Sequence, residues 1–189
     1  MVGYAMCGSF CTLSRAIDEM EKLANLGIEI QPIMSECAYS TSTRFGKAEE
    51  IRDRVLEISG REIIHTVREA EPLGPRTPLD ALIIAPCTGN TLAKLSLGIT
   101  DTAVTMAAKA HLRQDRPLLI ALSSNDAISQ NLSSLSRLIT RKSVCFVPML
   151  QDDTVGKPYS LVADTSLITE AYRRMLLGEQ MRPVFLEKK

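Results

Sequence analysis

Ala85-Pro86-Cys87-Thr88-Gly89-Asn90-Thr91-Leu92-Ala93-Lys94-Leu95-Ser96-Leu97-Gly98-Ile99-Thr100-Asp101 is the stretch on which the reading of this chain turns. The apolar run that leads into it, Ala81-Leu82-Ile83-Ile84-Ala85, has the length and composition of a buried strand. Pro86 has no N–H to give a central ladder and is expected to end that strand. Thr88, Gly89 and Asn90 form a short polar loop, and Thr91, Leu92 and Leu95 begin a helical pattern. Asn90 or Thr88 serves as N-cap and Gly98 as the stop. Such a loop directs free backbone N–H groups outward, where the helix dipole adds roughly half a positive charge. This is the geometry of an anion site, although an ordinary capped turn uses the same residues.

Outward from this unit the alternation of strand and helix repeats. Residues 2–6 read as a strand and Cys7-Gly8-Ser9 as a turn. Leu13, Ile17, Met20, Leu23 and Ala24 then mark one face of a helix that stops at Gly27. Residues 28–34 read as a second strand and 35–46 as a Ser/Thr-rich polar stretch. Ile51, Val55, Leu56 and Ile58 form a helical stripe ending near Gly60, and Ile63-Ile64 suggest a short third strand. Residues 71–78 contain three prolines and read as an irregular loop. Beyond the signature stretch come a helix over 102–112, a strand over 117–122 with its exit turn at 123–126, and a helix lined by Leu132, Leu135 and Ile139. A strand over 144–147, a loop over 151–159 and a terminal helix over 167–177 complete the chain. Apolar strands alternating with helices predict one α/β domain over residues 1–189, a doubly wound, Rossmann-like parallel sheet of about six strands with helices on both faces.

Composition narrows the function. Lys plus Arg and Asp plus Glu each number 22, so no basic excess points to nucleic acid. No apolar run nears the roughly 20 residues needed to cross a bilayer, and the first residues carry no secretion signal. A cytoplasmic protein without membrane attachment is expected. The five cysteines, Cys7, Cys11, Cys37, Cys87 and Cys145, are odd in number and scattered, which fits reduced thiols better than a disulfide framework. With no CxxC and only His65 and His111, a zinc site is disfavoured.

Doubly wound sheets bind ligands at the carboxyl ends of their strands. Gly8 and Ser9 follow the first strand, Ser35 the second, Pro86, Thr88, Gly89, Asn90 and Thr91 the signature strand, and Ser123 and Asn125 the next. Each alone is ordinary capping chemistry. Together they point to a phosphate-bearing ligand. The first turn is not GxGxxG and no Walker GK[ST] occurs, which weighs against the common dinucleotide and nucleoside-triphosphate sites.

The stretch 85–101 resembles the signature loop of the homo-oligomeric flavin-containing cysteine decarboxylase superfamily. That group includes phosphopantothenoylcysteine and lantibiotic-peptide decarboxylases and flavin prenyltransferases. Its loop reads Pro-Ala-Ser-Ala-Asn-Thr, then Leu-Ala-Lys and a Gly-x-x-Asp ending. Pro86, Asn90, Thr91, Leu92, Ala93, Lys94, Gly98 and Asp101 stand at matching positions, and Gly8-Ser9 and the polar stretch after the second strand match too. The resemblance implies FMN at the strand exits named above and a homo-oligomer, a trimer or dodecamer, with flavin near a boundary between protomers. A narrower likeness to one branch is carried by residues 71–80 with Ala85-Pro86 and Thr88-Gly89-Asn90, by Ser124-Asn125-Asp126-Ala127, and by Phe146-Val147-Pro148 with Gln151-Asp152. It implies an oxidoreductase component that helps turn a dihydro- or hydroxytetrahydropyridine dicarboxylate into pyridine-2,6-dicarboxylate, in the mother-cell cytoplasm of a sporulating bacterium. The partner there, a second polypeptide similar to nicotinamide-binding dehydrogenases, would bring NADP or NAD.

Departures from the superfamily shape the expectation. The decarboxylases place a catalytic His shortly before the signature strand, where this chain has its proline-rich loop. His65 lies earlier, beside Ile63 and Ile64, as a structural strand-end histidine would. The substrate clamp Pro-Ala-Met-Asn is missing, and Ser123-Ser124-Asn125 stands where the prenyltransferases have Pro-Arg-Glu. Cysteine decarboxylation and prenyl transfer are therefore disfavoured. Three functions stay open: a partner-dependent oxidoreductase component, a stand-alone FMN enzyme of the decarboxylase type, and a non-catalytic scaffold for the dehydrogenase-like partner. A small dicarboxylate substrate calls for positive charge. Arg44, Lys47 and Arg76 in loops are candidates, with solvated surface charge the simpler account of each. No catalytic base stands out.

Overall fold

In the computed structural model, which describes residues 1–74, 77 and 79–187, β1 (Val2–Met6) leads into α1 (Phe10–Asn25), and β2 (Ile30–Met34) comes next. Three helices then occupy the polar stretch and the segment after it: α2 (Glu36–Ser40), α3 (Ala48–Ser59) and the single turn α4 (Val67–Ala70). The signature unit is β3 (Ala81–Cys87) and α5 (Gly89–Leu97), followed by α6 (Ala103–Leu112). Next come β4 (Leu118–Ser124), α7 (Leu132–Ile139), β5 (Val144–Phe146), β6 (Met149–Leu150), β7 (Leu161–Ala163) and α8 (Ile168–Leu176).

Strands β2-β1-β3-β4-β5 lie side by side and parallel. The winding reverses between β1 and β3, the switch point where such sheets bind ligands. Every residue of β1, β3 and β4 is buried. Alternate side chains feed two cores, one on each face of the sheet. Tyr4, Met6, Ile83 and Leu119 meet Leu13, Ile17 and Tyr172 on one side. Ala5, Leu82, Ile84 and Ile120 meet Leu92, Val104 and Leu135 on the other. Each fully buried Leu or Ile contributes about 1.5–3 kcal/mol. Gly60 and Gly98 end α3 and α5 with left-handed φ values of 62° and 73°, which a residue with a Cβ adopts only with strain.

Three features differ from expectation. The sheet is mixed and has seven strands. β7 pairs antiparallel with the last residues of β4, Ser123 opposite Val162 and Ser124 opposite Leu161, and β6 pairs antiparallel with β7. Strands this short leave no periodicity to read. Residues 63–64 form only an isolated bridge, Ile33 with Ile64, because two apolar residues after a polar turn are too few to extend a ladder. β3 runs through Pro86 to Cys87 instead of ending at Ala85. Its ladder to β4 shifts register between Ile84 and Cys87, so the missing N–H is absorbed by an irregularity.

Beyond α8 the chain returns to the sheet. Phe146 N donates to Gln180 Oε1 at 2.7 Å and Gln180 Nε2 donates to Phe146 O at 2.7 Å. Met149 N donates to Val184 O at 2.9 Å and Leu186 N to Met149 O at 2.8 Å. Among the described residues no helix is long and apolar enough to cross a membrane, and no group of three or more His, Cys, Asp or Glu is placed to hold a metal. The five cysteines are free, with Cys7, Cys87 and Cys145 buried and Cys11 and Cys37 exposed.

Candidate functional site

Thr88, not Asn90, caps α5. Its backbone is extended, and its Oγ1 accepts from Thr91 N at 3.2 Å. The hydroxyls continue the chain of bonds: Thr88 Oγ1 donates to Thr91 Oγ1 at 3.1 Å, and Thr91 Oγ1 donates to Cys7 Sγ at 3.3 Å. Cys7 N donates to Pro86 O at 3.1 Å. The exits of β1 and β3 are thus tied together at the switch point. Burial pushes the Cys7 thiol up to about 11, against the opposing effect of the Thr91 hydroxyl. Burial likewise raises Cys87. Both are neutral thiols near pH 7, not nucleophiles.

Gly89 is required by crowding. A Cβ there would stand 2.6 Å from Asn131 Nδ2, 2.6 Å from Ser124 Oγ and 3.0 Å from Asp126 Oδ1. Ser124 Oγ donates to Asp126 Oδ1. Asn90 is exposed in the first turn of α5 and makes no side-chain hydrogen bond among the described residues. Neither α1 nor α5 has an acidic residue in its first turn, so both positive helix ends stand uncompensated by their own sequence.

Ser35 caps α2, accepting from Ala38 N at 3.2 Å. A Cβ on Gly8 would meet Cys37 Sγ at 3.0 Å. Ser9 precedes α1 without capping it through its side chain. Its Oγ lies 2.8 Å from Ser123 Oγ, and Thr12 Oγ1 reaches both, at 3.1 Å and 3.3 Å. This cluster joins the exits of β1 and β4 and floors a cleft of about 520 Å³. One wall carries Arg15 of α1. The other comes from the connection between β6 and β7 and the turn after β7, with Asp152, Lys157 and Asp164. The hydroxyl of Ser160 at 2.6 Å and Lys157 at 3.2 Å hold the Asp152 carboxyl below the usual carboxylate range.

Of the residues singled out in the sequence, Ser9, Ser123 and Asn125 line this cleft. Thr88, Gly89 and Thr91 stand at the neighbouring exit of β3, Pro86 lies within β3, and Gly8 and Ser35 lie toward β2. Arg44 is exposed, lies over the Phe45 ring at 4.8 Å, and does not line the cleft. Lys47 pairs with Glu50 at 3.2 Å. Arg76 lies outside the described residues. His65 stacks on Tyr39, centroids 3.8 Å apart and planes 6° from parallel, with Nδ1 3.2 Å from Ile63 O and 3.4 Å from Glu69 Oε2. Sequence reasoning missed Thr12, Arg15, Asp152, Lys157 and Asp164. Only the i, i+3 spacing of Ser9 and Thr12 offered a local signal.

The chain belongs to the flavoprotein family, whose model matches residues 1–167. Within it, the chain is 39% identical over 186 residues to the B subunit of dipicolinate synthase from Bacillus subtilis (strain 168), a match covering 98% of this chain and 93% of that protein. A crystal structure of the dipicolinate synthase B subunit from Bacillus halodurans matches with a TM-score of 0.91 at 38% identity, covering 100% of this chain and 96% of that one. The FMN-dependent cysteine decarboxylase SpaF shares the fold, with a TM-score of 0.68 at 18% identity over 94% of this chain and 95% of that one.

Proposed function

We propose that this chain acts as the B subunit of dipicolinate synthase. In this reading it is an oxidoreductase component that works with the A subunit of that enzyme to convert a dihydro- or hydroxytetrahydrodipicolinate to dipicolinate in a sporulating mother cell. The observation that carries this is a 39% identity that runs over 98% of the chain, joined to a fold match of the same extent. Aromatisation removes two hydrogens, and a redox cofactor supplies that chemistry while protein supplies orientation. NADP or NAD enters through the dehydrogenase-like A subunit, and a homo-oligomer, trimer or dodecamer, is the proposed assembly.

The strand exits fit FMN. The first turns of α1 and α5 lack carboxylates, Asn90 is unengaged, and Ser9 keeps its hydroxyl off its own helix. Backbone N–H groups at the start of α5, with Asn90 and the hydroxyls of Ser9 and Thr88, would hold the phosphate. Bound flavin supplies a two-electron acceptor. The chain's own residues bind and orient, and the switch-point thiols Cys7 and Cys87 are held neutral by burial.

A yellow purified protein with flavin absorbance supports this cofactor, and a colourless one supports a scaffold role. Asn90→Ala is expected to weaken FMN binding by about 1–3 kcal/mol in a fluorescence titration. Unchanged affinity removes the proposed phosphate site. The chain alone is expected to make no dipicolinate at a useful rate, and addition of the A subunit to restore synthesis. Robust turnover by this chain alone, given only substrate and an electron acceptor, would overturn the reading.

A further inference from the structure

Arg15 stands in the second turn of α1 and lines the cleft between that helix and the β6–β7 connection. The other charged groups at this cleft are engaged. Lys157 pairs with Asp152 at 3.2 Å, Asp152 also accepts the Ser160 hydroxyl at 2.6 Å, and Asp164 accepts the Ser166 N–H at 3.1 Å and hydroxyl at 2.6 Å. Arg15 makes no ion pair and no side-chain hydrogen bond among the described residues. Beside it lie the hydroxyls of Thr12 and Ser123, whose residues are 3% and 9% exposed. The adjoining start of α1 adds partial charge of the same sign. A cation without an ion pair among the described residues, buried hydroxyls beside it and about 520 Å³ of space match a planar carboxylate, which a guanidinium fork grips in two-point fashion.

We infer that Arg15 anchors one carboxylate of the pyridine dicarboxylate, over the Thr12 and Ser123 hydroxyls. This rests on the dipicolinate synthase reading and names the residue that selects its substrate. Asp152 and Asp164 also line the cleft and would repel a second carboxylate there, so the far carboxylate points out of the cleft, toward solvent or a partner protein.

The test measures dissociation constants of pyridine-2,6-dicarboxylate and pyridine-2-carboxylate for the full chain as wild type, Arg15→Gln and Arg15→Lys. FMN is titrated against the same proteins, and synthesis is assayed in the complex with the A subunit. Arg15→Gln is expected to weaken both pyridine acids by a similar factor, about 10- to 100-fold, and Arg15→Lys by less. In that complex, KM is expected to rise far more than kcat falls. FMN affinity and melting temperature are expected to stay unchanged, since the side chain makes no ion pair and no hydrogen bond among the described residues. The inference is overturned by unchanged binding of both acids in Arg15→Gln, or by no binding of either acid to the wild type. It is also overturned by a loss of FMN affinity instead, which would make Arg15 a flavin-phosphate ligand. Failure of the broader reading looks different: the two wild-type proteins together would make no dipicolinate at all.

Discussion

At the exits of β2 and β3 the capping hydroxyls accept from a backbone N–H three residues ahead, Ser35 from Ala38 and Thr88 from Thr91, whereas at the exit of β4 the cluster around Ser123 draws its partners from far along the chain. Ser123 meets Ser9 across 114 residues, Ser124 lies opposite Leu161, and the charges of the cleft wall arrive with the connection between β6 and β7. The first half of the sheet edge is built on helix-capping chemistry within each βα unit, and Thr91 and Pro86 tie it to Cys7 at the exit of β1. The second half exists only after the strands have assembled, and it contains the charged groups.

Four measurements sharpen or break this contrast. The largest effect is expected in the parallel centre: Ile83, fully buried in β3, should lose about 2–5 kcal/mol of stability on substitution by Ala in a denaturant titration. Leu150→Ala in the half-buried β6 should lose clearly less, and an equal loss would show the antiparallel pair to be as central as β3. Gly89→Ala should rank next at about 1–3 kcal/mol, because the new methyl has to displace Asn131 and Ser124. An unchanged melting temperature would mean that this junction yields freely. Thr88→Ala should cost about 1 kcal/mol through the lost cap, and Ser9→Ala, which removes no cap, should cost less. The smallest effect concerns pH. The Asp152 carboxyl is held low by Ser160 and Lys157, so its contribution is present above the ordinary carboxylate pKa and is lost as pH falls through the folded value. The stability difference between wild type and Asp152→Asn should be at most about 1 kcal/mol near pH 6 and should shrink as pH falls below the ordinary carboxylate range. A difference that persists at low pH would point to packing and not charge.

The same contrast explains what was legible. The strands β1, β3 and β4 announce themselves because both faces are buried, which leaves unbroken apolar runs such as Leu82-Ile83-Ile84 and Leu118-Leu119-Ile120. The stops at Gly60 and Gly98 and the caps at Ser35 and Thr88 depend on neighbours a turn away. β6 and β7 have two and three residues, and their pairing is set by β4, so no local pattern marks them. Ile63-Ile64 reads as a strand because composition alone does not count available ladder partners. In the site, Ser9, Ser123 and the signature loop could be placed from strand exits. Arg15 and Lys157 could not, since nothing local brings α1 and the β6–β7 connection to one cleft. Arg44 resembles them in charge, but its loop lies away from it.

A side-chain amide carries one donating and one accepting group, as a peptide unit does. Gln180 sets both against Phe146, at 2.7 Å each, and so imitates a neighbouring strand one residue long. Exposed rows of unpaired N–H and C=O groups are templates on which other molecules polymerise, and proteins commonly block them with charge, proline or a covering loop. Here the blocking piece is a glutamine 34 positions downstream. Its removal would leave the N–H and C=O of Phe146 without these partners. The segment after α8 therefore covers the outer edge of β5 at Phe146.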